Sequence, residues 1–213
     1  MESTSGNDGL GIATQIKNRD LIGRRRRQIV ESAVQLFIEK GFHKTTTREI
    51  AARAGLASGS MYEYVKAKED ILYLVCNAIH EEMETSITEV MEKAGQGRQV
   101  LDDIIREYFM VCHRMSDHIL LIYQEAKSLP AQWQARVLQN DIRIAGIFAD
   151  YIRRLMDAGS LPRRDEHVVE LLAHNITVLG HMWTFRRWFF GKKFSIEEYT
   201  GVQTEFIMGL LRK

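Results

Sequence analysis

The stretch TTTREIAARAGLASGSMYEYV, residues 45–65, decides how this chain is read. Thr46 and Glu49 have the spacing of a capping box, in which a hydroxyl and a carboxylate satisfy each other's backbone N–H groups, so a helix is predicted to begin at about Thr47. It ends at Gly55. Gly55-Leu56-Ala57 forms a turn, and a second short helix carries Met61, Tyr62, Tyr64 and Val65. Ile50, Ala51 and Ala54 can pack the first helix, and Leu56, Met61 and Val65 can pack the turn and the second. Ser58, Gly59, Ser60, Tyr62, Glu63 and Tyr64 are left to face outward. Two short helices joined this way have the layout of a helix-turn-helix, whose second helix enters the DNA major groove. Small residues at its start allow a close approach to base edges, and tyrosine hydroxyls can bond phosphate from the flanks.

Helical periodicity extends in both directions from this block. Upstream, Ile29, Ala33, Leu36 and Phe37 follow an i, i+4, i+7, i+8 pattern, and Gly41 stands where a helix ends. Residues 1–23 are polar and weakly patterned, and are read as a flexible tail. Downstream, Ile71, Val75, Ile79, Met83, Ile87 and Val90 draw one stripe along 67–93, with Gly95 and Gly97 as its stop. Further helices are expected to about Met115, over 117–128, after Pro130 up to Gly159, and over 165–190. Ser195 and Glu198 cap the last one. This reading gives nine helices and no strand. The fold class is all-α, with a three-helix helix-turn-helix domain at 24–66 and a larger six-helix domain at 67–213.

Composition narrows the function. The chain has 213 residues, 45% hydrophobic and 27% charged, an ordinary globular balance. No run reaches about 18 apolar residues, so no membrane span is expected, and no secretory leader is read at the start. Cys76 and Cys112 make no metal or redox spacing and no disulfide framework, which suits a reduced, cytoplasmic setting. No cofactor motif, nucleophile elbow, phosphate loop or paired carboxylates appear, so an enzyme is not expected. The net charge of +1 excludes a uniformly basic nucleic-acid coat. It hides an asymmetry, however: residues 24–68 carry ten Lys or Arg against four Glu, and residues 69–213 are net −4. A basic segment attached to a mildly acidic remainder is the electrostatic footprint of a DNA-binding module. Arg24-Arg25-Arg26-Arg27 is read as lying at a helix start, where mutual repulsion and the macrodipole would be relieved by phosphate.

The stretch RQIVESAVQLFIEKGFHKTTTREIAARAGLASGSMYEYVKAKEDIL, residues 27–72, resembles the N-terminal domain of the TetR/AcrR family of transcriptional regulators. The resemblance implies that the first three helices bind DNA, that the later helices bind a small ligand, and that the last two pair two subunits as a four-helix bundle. Carried onto this sequence, it implies phosphate contacts at Thr45, Thr46, Tyr62, Tyr64 and Lys68. Base reading would fall to Arg48, Ser58, Gly59, Ser60 and Glu63. The basic run adds Arg25 and Arg26. The sequence departs from the family pattern at Ala57, where a serine cap is common, and at Val65, where a large aromatic is usual. Ser58 could take over the cap.

In the larger domain, polar groups among apolar ones suggest a pocket. The candidates are Tyr108, His113, Tyr123, Gln124, Asn175, Trp183 and Arg186, though the tyrosines also suit an ordinary core. Trp183 and Trp188 could equally anchor a subunit interface. The blocks VLGHMWTFRRWFF at 178–190 and EAKSLP at 125–130 are similar to regulators of this family tied to fatty-acid or acyl-CoA catabolism. An apolar cavity with an arginine at its mouth would suit an acyl chain with an anionic head. The expected partners are therefore a palindromic double-stranded DNA operator, a second copy of the chain, and an amphipathic effector such as a fatty acid or acyl-CoA. The alternative is a dimeric helical small-molecule-binding protein whose DNA-binding function has decayed.

Overall fold

The computed structural model describes residues 12, 14, 16, 18–93 and 97–212. Ten α-helices follow one another, and no strand occurs among the described residues: α1 (Arg19–Lys40), α2 (Thr47–Arg53), α3 (Ser58–Met61), α4 (Lys68–Lys93), α5 (Arg98–Arg114), α6 (Ser116–Glu125), α7 (Ala131–Asp157), α8 (Glu166–Phe185), α9 (Arg187–Phe190) and α10 (Ile196–Arg212). A 3-10 turn, Ala126–Ser128, follows α6. The expected all-α class is therefore observed, with one helix more than the nine read from sequence. The apolar stretch 165–190 is two helices, because the backbone leaves helical geometry at Arg186 (φ −115°, ψ 17°).

α1 starts at Arg19, earlier than expected, because the Asn18 side chain accepts the Leu21 N–H and caps it. The arginine run therefore lies beyond the first turn. There the helix dipole has faded, so its share of the repulsion argued for a helix start does not apply. Of the stretch read as a tail, Ile12 and Thr14 are buried and residues 19–23 are helical, while residues 1–11, 13, 15 and 17 lie outside the described residues. The stop expected at Gly95 also lies outside them. Gly97 precedes α5 with φ 118°, a conformation that favours glycine.

The chain divides into two compact units. One comprises the described residues up to Ala78 together with Leu121–Val137. Its core gathers Ile29, Ala33, Leu36 and Phe37 of α1, Ile50 and Ala51 of α2, Met61 of α3, and Val65, Ile71, Leu72 and Val75, all buried. α2 packs on α1 and α3 on α2. The Asp70 carboxylate accepts the backbone N–H groups of Lys66 and Ala67 just ahead of α4, and also the Trp133 indole N–H at 3.2 Å. The Trp133 ring stacks on Tyr73 at 4.4 Å.

The other unit comprises Ile79–Leu120 and the residues from Leu138 onward. α5 is its central element and packs against both α8 and α10. Gly180 makes the α5–α8 approach possible. A Cβ there would lie 2.7 Å from Tyr108 Cε1 and 3.0 Å from Cys112 Sγ. Cys76, in the first unit, and Cys112, in this one, are both buried, and burial pushes each thiol up to about 12.

Candidate nucleic-acid interface and effector region

The helix-turn-helix is closed by the capping box read from the sequence. The Glu49 N–H donates to Thr46 Oγ1, and the Thr46 N–H donates to Glu49 Oε2 at 2.8 Å. The ammonium of Lys40 also binds this carboxylate. Lys40 and then Thr46 hold the Glu49 carboxyl down at about 2. α3 is a single turn. Its N-cap is Ala57, and no side chain closes it, so Ser58 does not take over that role. After Met61 the chain runs on as turn through Tyr62–Tyr64.

This early stop sorts the expected DNA contacts. Thr46, Arg48, Ser58, Gly59, Tyr62 and Glu63 are exposed, and Ser60 is half-buried. The Tyr62 hydroxyl lies 2.9 Å from Thr47 Oγ1, which ties the turn to α2. Tyr64 is buried, because continuation as a turn rather than a helix points it inward. Thr45 is buried as well, and its hydroxyl donates to the carbonyls of Gly41 (2.9 Å) and Leu36 (3.3 Å). The Lys68 ammonium is occupied by the carbonyls of Phe42, Thr45 and His43 at 3.0, 3.1 and 3.5 Å, and sits over the Phe42 ring. Of the residues expected on phosphate, Thr45 and Lys68 thus hold the loop between α1 and α2, and Tyr64 is turned into the core. Arg26 is only 4% exposed. Arg24 and Arg27 are exposed, and Arg25 is half-buried with its guanidinium on Gln28. Thr47 was not singled out as a site residue from the sequence, nor were the exposed Lys44 and Lys66. For Thr47 and Lys44 the available signal was their position next to the capping box in sequence.

The seven pocket candidates fall into separate places. Tyr108, His113 and Trp183 meet where α5 faces α8. The Tyr108 hydroxyl is 2.9 Å from His181 Nε2, and the Trp183 indole N–H donates to His113 Nδ1 at 2.9 Å. Trp183 is buried among Phe190 and Tyr199, as a core aromatic of its own protomer. Asn175 is exposed on α8, and Arg186 is exposed over Trp188 and Phe189. Tyr123 and Gln124 are exposed on α6, which falls in the other unit. None of the seven lines the cleft of about 650 Å³ between α5 and α10, which is bounded by Asp102, Arg106, Phe194, Glu198 and Met208 among others.

His181 stands out in the sequence as a polar residue within an apolar helix but was not among the pocket candidates, although its spacing from Ala173, Ile176, Thr177 and Gly180 places it on the inward face of α8. Burial drives its imidazole down from 6.5 to about 4; Asp141 opposes the shift and His80 adds to it. The folded state therefore disfavours protonation relative to the unfolded chain. The stabilisation from a neutral His181 is whole above pH about 6.5 and is lost as pH falls towards 4, by at most ~3 kcal/mol. Urea midpoints are expected to drop from about pH 7 to about pH 5, and His181→Gln should flatten that drop. A wild-type profile already flat over this range would contradict the assignment.

A capped helix-turn-helix with a polar, cation-flanked outer face, in an all-helical chain, defines a DNA-binding regulator. Comparison with known proteins gives the family. The family described as bacterial regulatory proteins, tetR family, matches residues 29–73, and the tetracyclin repressor-like C-terminal domain matches residues 94–190. The two matches cover about two thirds of the chain, which belongs to the tetR family of transcriptional regulators. The chain is 28% identical over 188 residues to the HTH-type transcriptional regulator HbdR of Aromatoleum sp. strain CIB, covering 88% of this chain and 81% of that one. It is 31% identical over 116 residues to the fatty acid metabolism regulator protein of Bacillus subtilis strain 168, covering 54% of this chain and 58% of that one. The crystal structure of AibR in complex with isovaleryl coenzyme A and operator DNA has a TM-score of 0.67 and 17% identity, covering 85% of this chain and 97% of that chain. No helix among the described residues is long and apolar enough to cross a membrane.

Proposed function

We propose that the chain is a homodimeric repressor. It holds a palindromic operator through residues 24–66 and releases it when an amphipathic effector, a fatty acid or acyl-CoA, occupies the domain formed by residues 67–213. The observation that carries this reading is the solvent-facing set Thr46, Arg48, Ser58, Gly59 and Tyr62 on a capped helix-turn-helix. Pairing is supported by apolar side chains left bare on the last helices. Leu171 and Val178 recur along α8, and Val202, Phe206 and Leu210 along α10; Phe206 is 58% exposed. Such stripes at helical spacing call for a partner surface. An isologous pair would present two reading heads to a two-fold operator. The effector class is supported by what the fatty acid regulator and AibR are named as controlling or binding. Release requires the effector to bind the DNA-incompetent state more tightly by a few kcal/mol.

The test is an electrophoretic shift with DNA from upstream of the protein's own gene, with and without acyl-CoA thioesters of graded chain length and free coenzyme A. A shift abolished by one thioester but not by coenzyme A supports the proposal. Absence of a shift with any upstream palindrome would favour the decayed, ligand-binding alternative. Arg48→Ala is expected to cost roughly 1–3 kcal/mol and relax preference at one base pair, while Tyr62→Phe weakens binding to all sequences alike. Equal, sequence-neutral losses for both would remove Arg48 from base reading.

A further inference from the structure

Arg26 carries a charge into the core of the DNA-binding unit, where a cation is costly unless every donor is used. Its Nε donates to the Tyr64 carbonyl at 3.0 Å and its Nη2 to the Ile12 carbonyl at 3.0 Å. Beside it the Thr14 hydroxyl donates to the Glu63 carbonyl at 2.7 Å and accepts the Ile16 N–H at 3.2 Å. Ile12 and Thr14 are each 2% exposed. Residues preceding α1 are thus bonded to the turn that follows α3, some fifty positions away in sequence.

We propose that Ile12, Thr14 and Arg26 form a brace that sets the angle of the reading segment Ser58–Glu63, and that Arg26 is a positioning residue for base recognition. This rests on the DNA-reading role proposed above. α3 cannot hold itself: four residues are too few to sustain a helix, and its start has no side-chain cap. The carbonyls of Glu63 and Tyr64, at the far end of the segment, would be left without backbone partners by the break in the helix. They are the two that the brace takes up. Both bonds lie on the inner side of the segment, with exposed Tyr62 and Glu63 outside. The brace therefore fixes orientation without touching DNA. A planar guanidinium can serve two carbonyls held apart; a lysine ammonium in its place keeps the charge but not the fork.

The experiment first selects a preferred duplex from a random-sequence pool with the wild-type chain, and scrambles it as a control. Arg26→Lys and Thr14→Val are then titrated against both duplexes over a range of salt, with thermal unfolding followed in parallel. Each variant is expected to lose about tenfold in affinity for the selected duplex and none for the scrambled one, with the salt slope unchanged and the protein fully folded at the assay temperature. Two results would overturn the proposal. One is unchanged preference in both variants. The other is equal losses on both duplexes with a salt slope reduced by about one, which would make Arg26 a phosphate contact. Should Arg26→Lys not fold, Thr14→Val, which removes a single hydroxyl, decides the matter alone. A wild-type chain that selects no sequence overturns the DNA-reading role itself and the brace with it.

Discussion

The Phe206→Asp variant is expected to be a folded monomer that no longer holds a palindromic operator. Phe206 sits between Val202 and Leu210 on α10, and all three are exposed in the protomer. A substitution at a position already in solvent changes protomer stability by no more than about 0.5 kcal/mol. In a two-fold interface the same position occurs twice, so one substitution removes two buried rings and places two carboxylates in an apolar layer. A buried aromatic anchor is worth about 2 kcal/mol or more, and an unpaired buried charge costs several more. The pair should therefore dissociate at least about a hundredfold more readily. Operator affinity should fall by roughly 10²–10⁴, because the second reading head loses its tether. Sedimentation velocity and operator titration on the same preparation check both. A dimer that persists with full affinity for the palindrome would place the subunit contact elsewhere.

The second large effect is expected within the protomer. Gly180→Val should lower the melting temperature by about 10 °C, corresponding to roughly 3 kcal/mol in a chain of this size. The nearest obstacle to a side chain is the Tyr108 ring, 2.7 Å from where the first carbon would go, with Phe109 Cδ1 at 3.2 Å. Tyr108 cannot swing aside cheaply. It meets Phe148 edge-on at 5.3 Å, and its hydroxyl is bonded to His181. Gly180→Ala should show a smaller loss of the same kind. Combining Gly180→Ala with Tyr108→Val should cost less than the two single losses added together, since the smaller side chain vacates the contested space. Strict additivity would show that the helices separate rather than clash.

Local signals carried much of the fold. The Thr46–Glu49 box was readable because both partners lie within one turn, and the run of helices because apolar positions recur at fixed spacing. The arginine run shows where such reading fails. Ile22, Arg26, Ile29, Ala33 and Leu36 share the buried face of α1, so the period itself marks Arg26 as an inward residue once the helix is known to start at Arg19. Placing that start at Arg24 made all four arginines look alike. Tyr64 was misplaced for a related reason: continuing the second short helix through Val65 turned it outward, whereas the helix ends at Met61. The interior of the larger unit was least legible. Tyr108 and His181 are 73 residues apart, and nothing local to either announces the other. The exposed position of Tyr123 and Asn175 likewise depends on which helix covers which.

The burial of both sulfhydryls has a practical use. Cys76 and Cys112 are the chain's two cysteines, and with their thiols raised to about 12 neither offers a nucleophile to a maleimide at neutral pH. A third cysteine introduced on the outer surface, for instance at Lys44, could be labelled selectively in the otherwise native sequence. A fluorophore or spin probe there would report whether the head moves when a candidate effector is added, without any need to strip the protein of its own thiols.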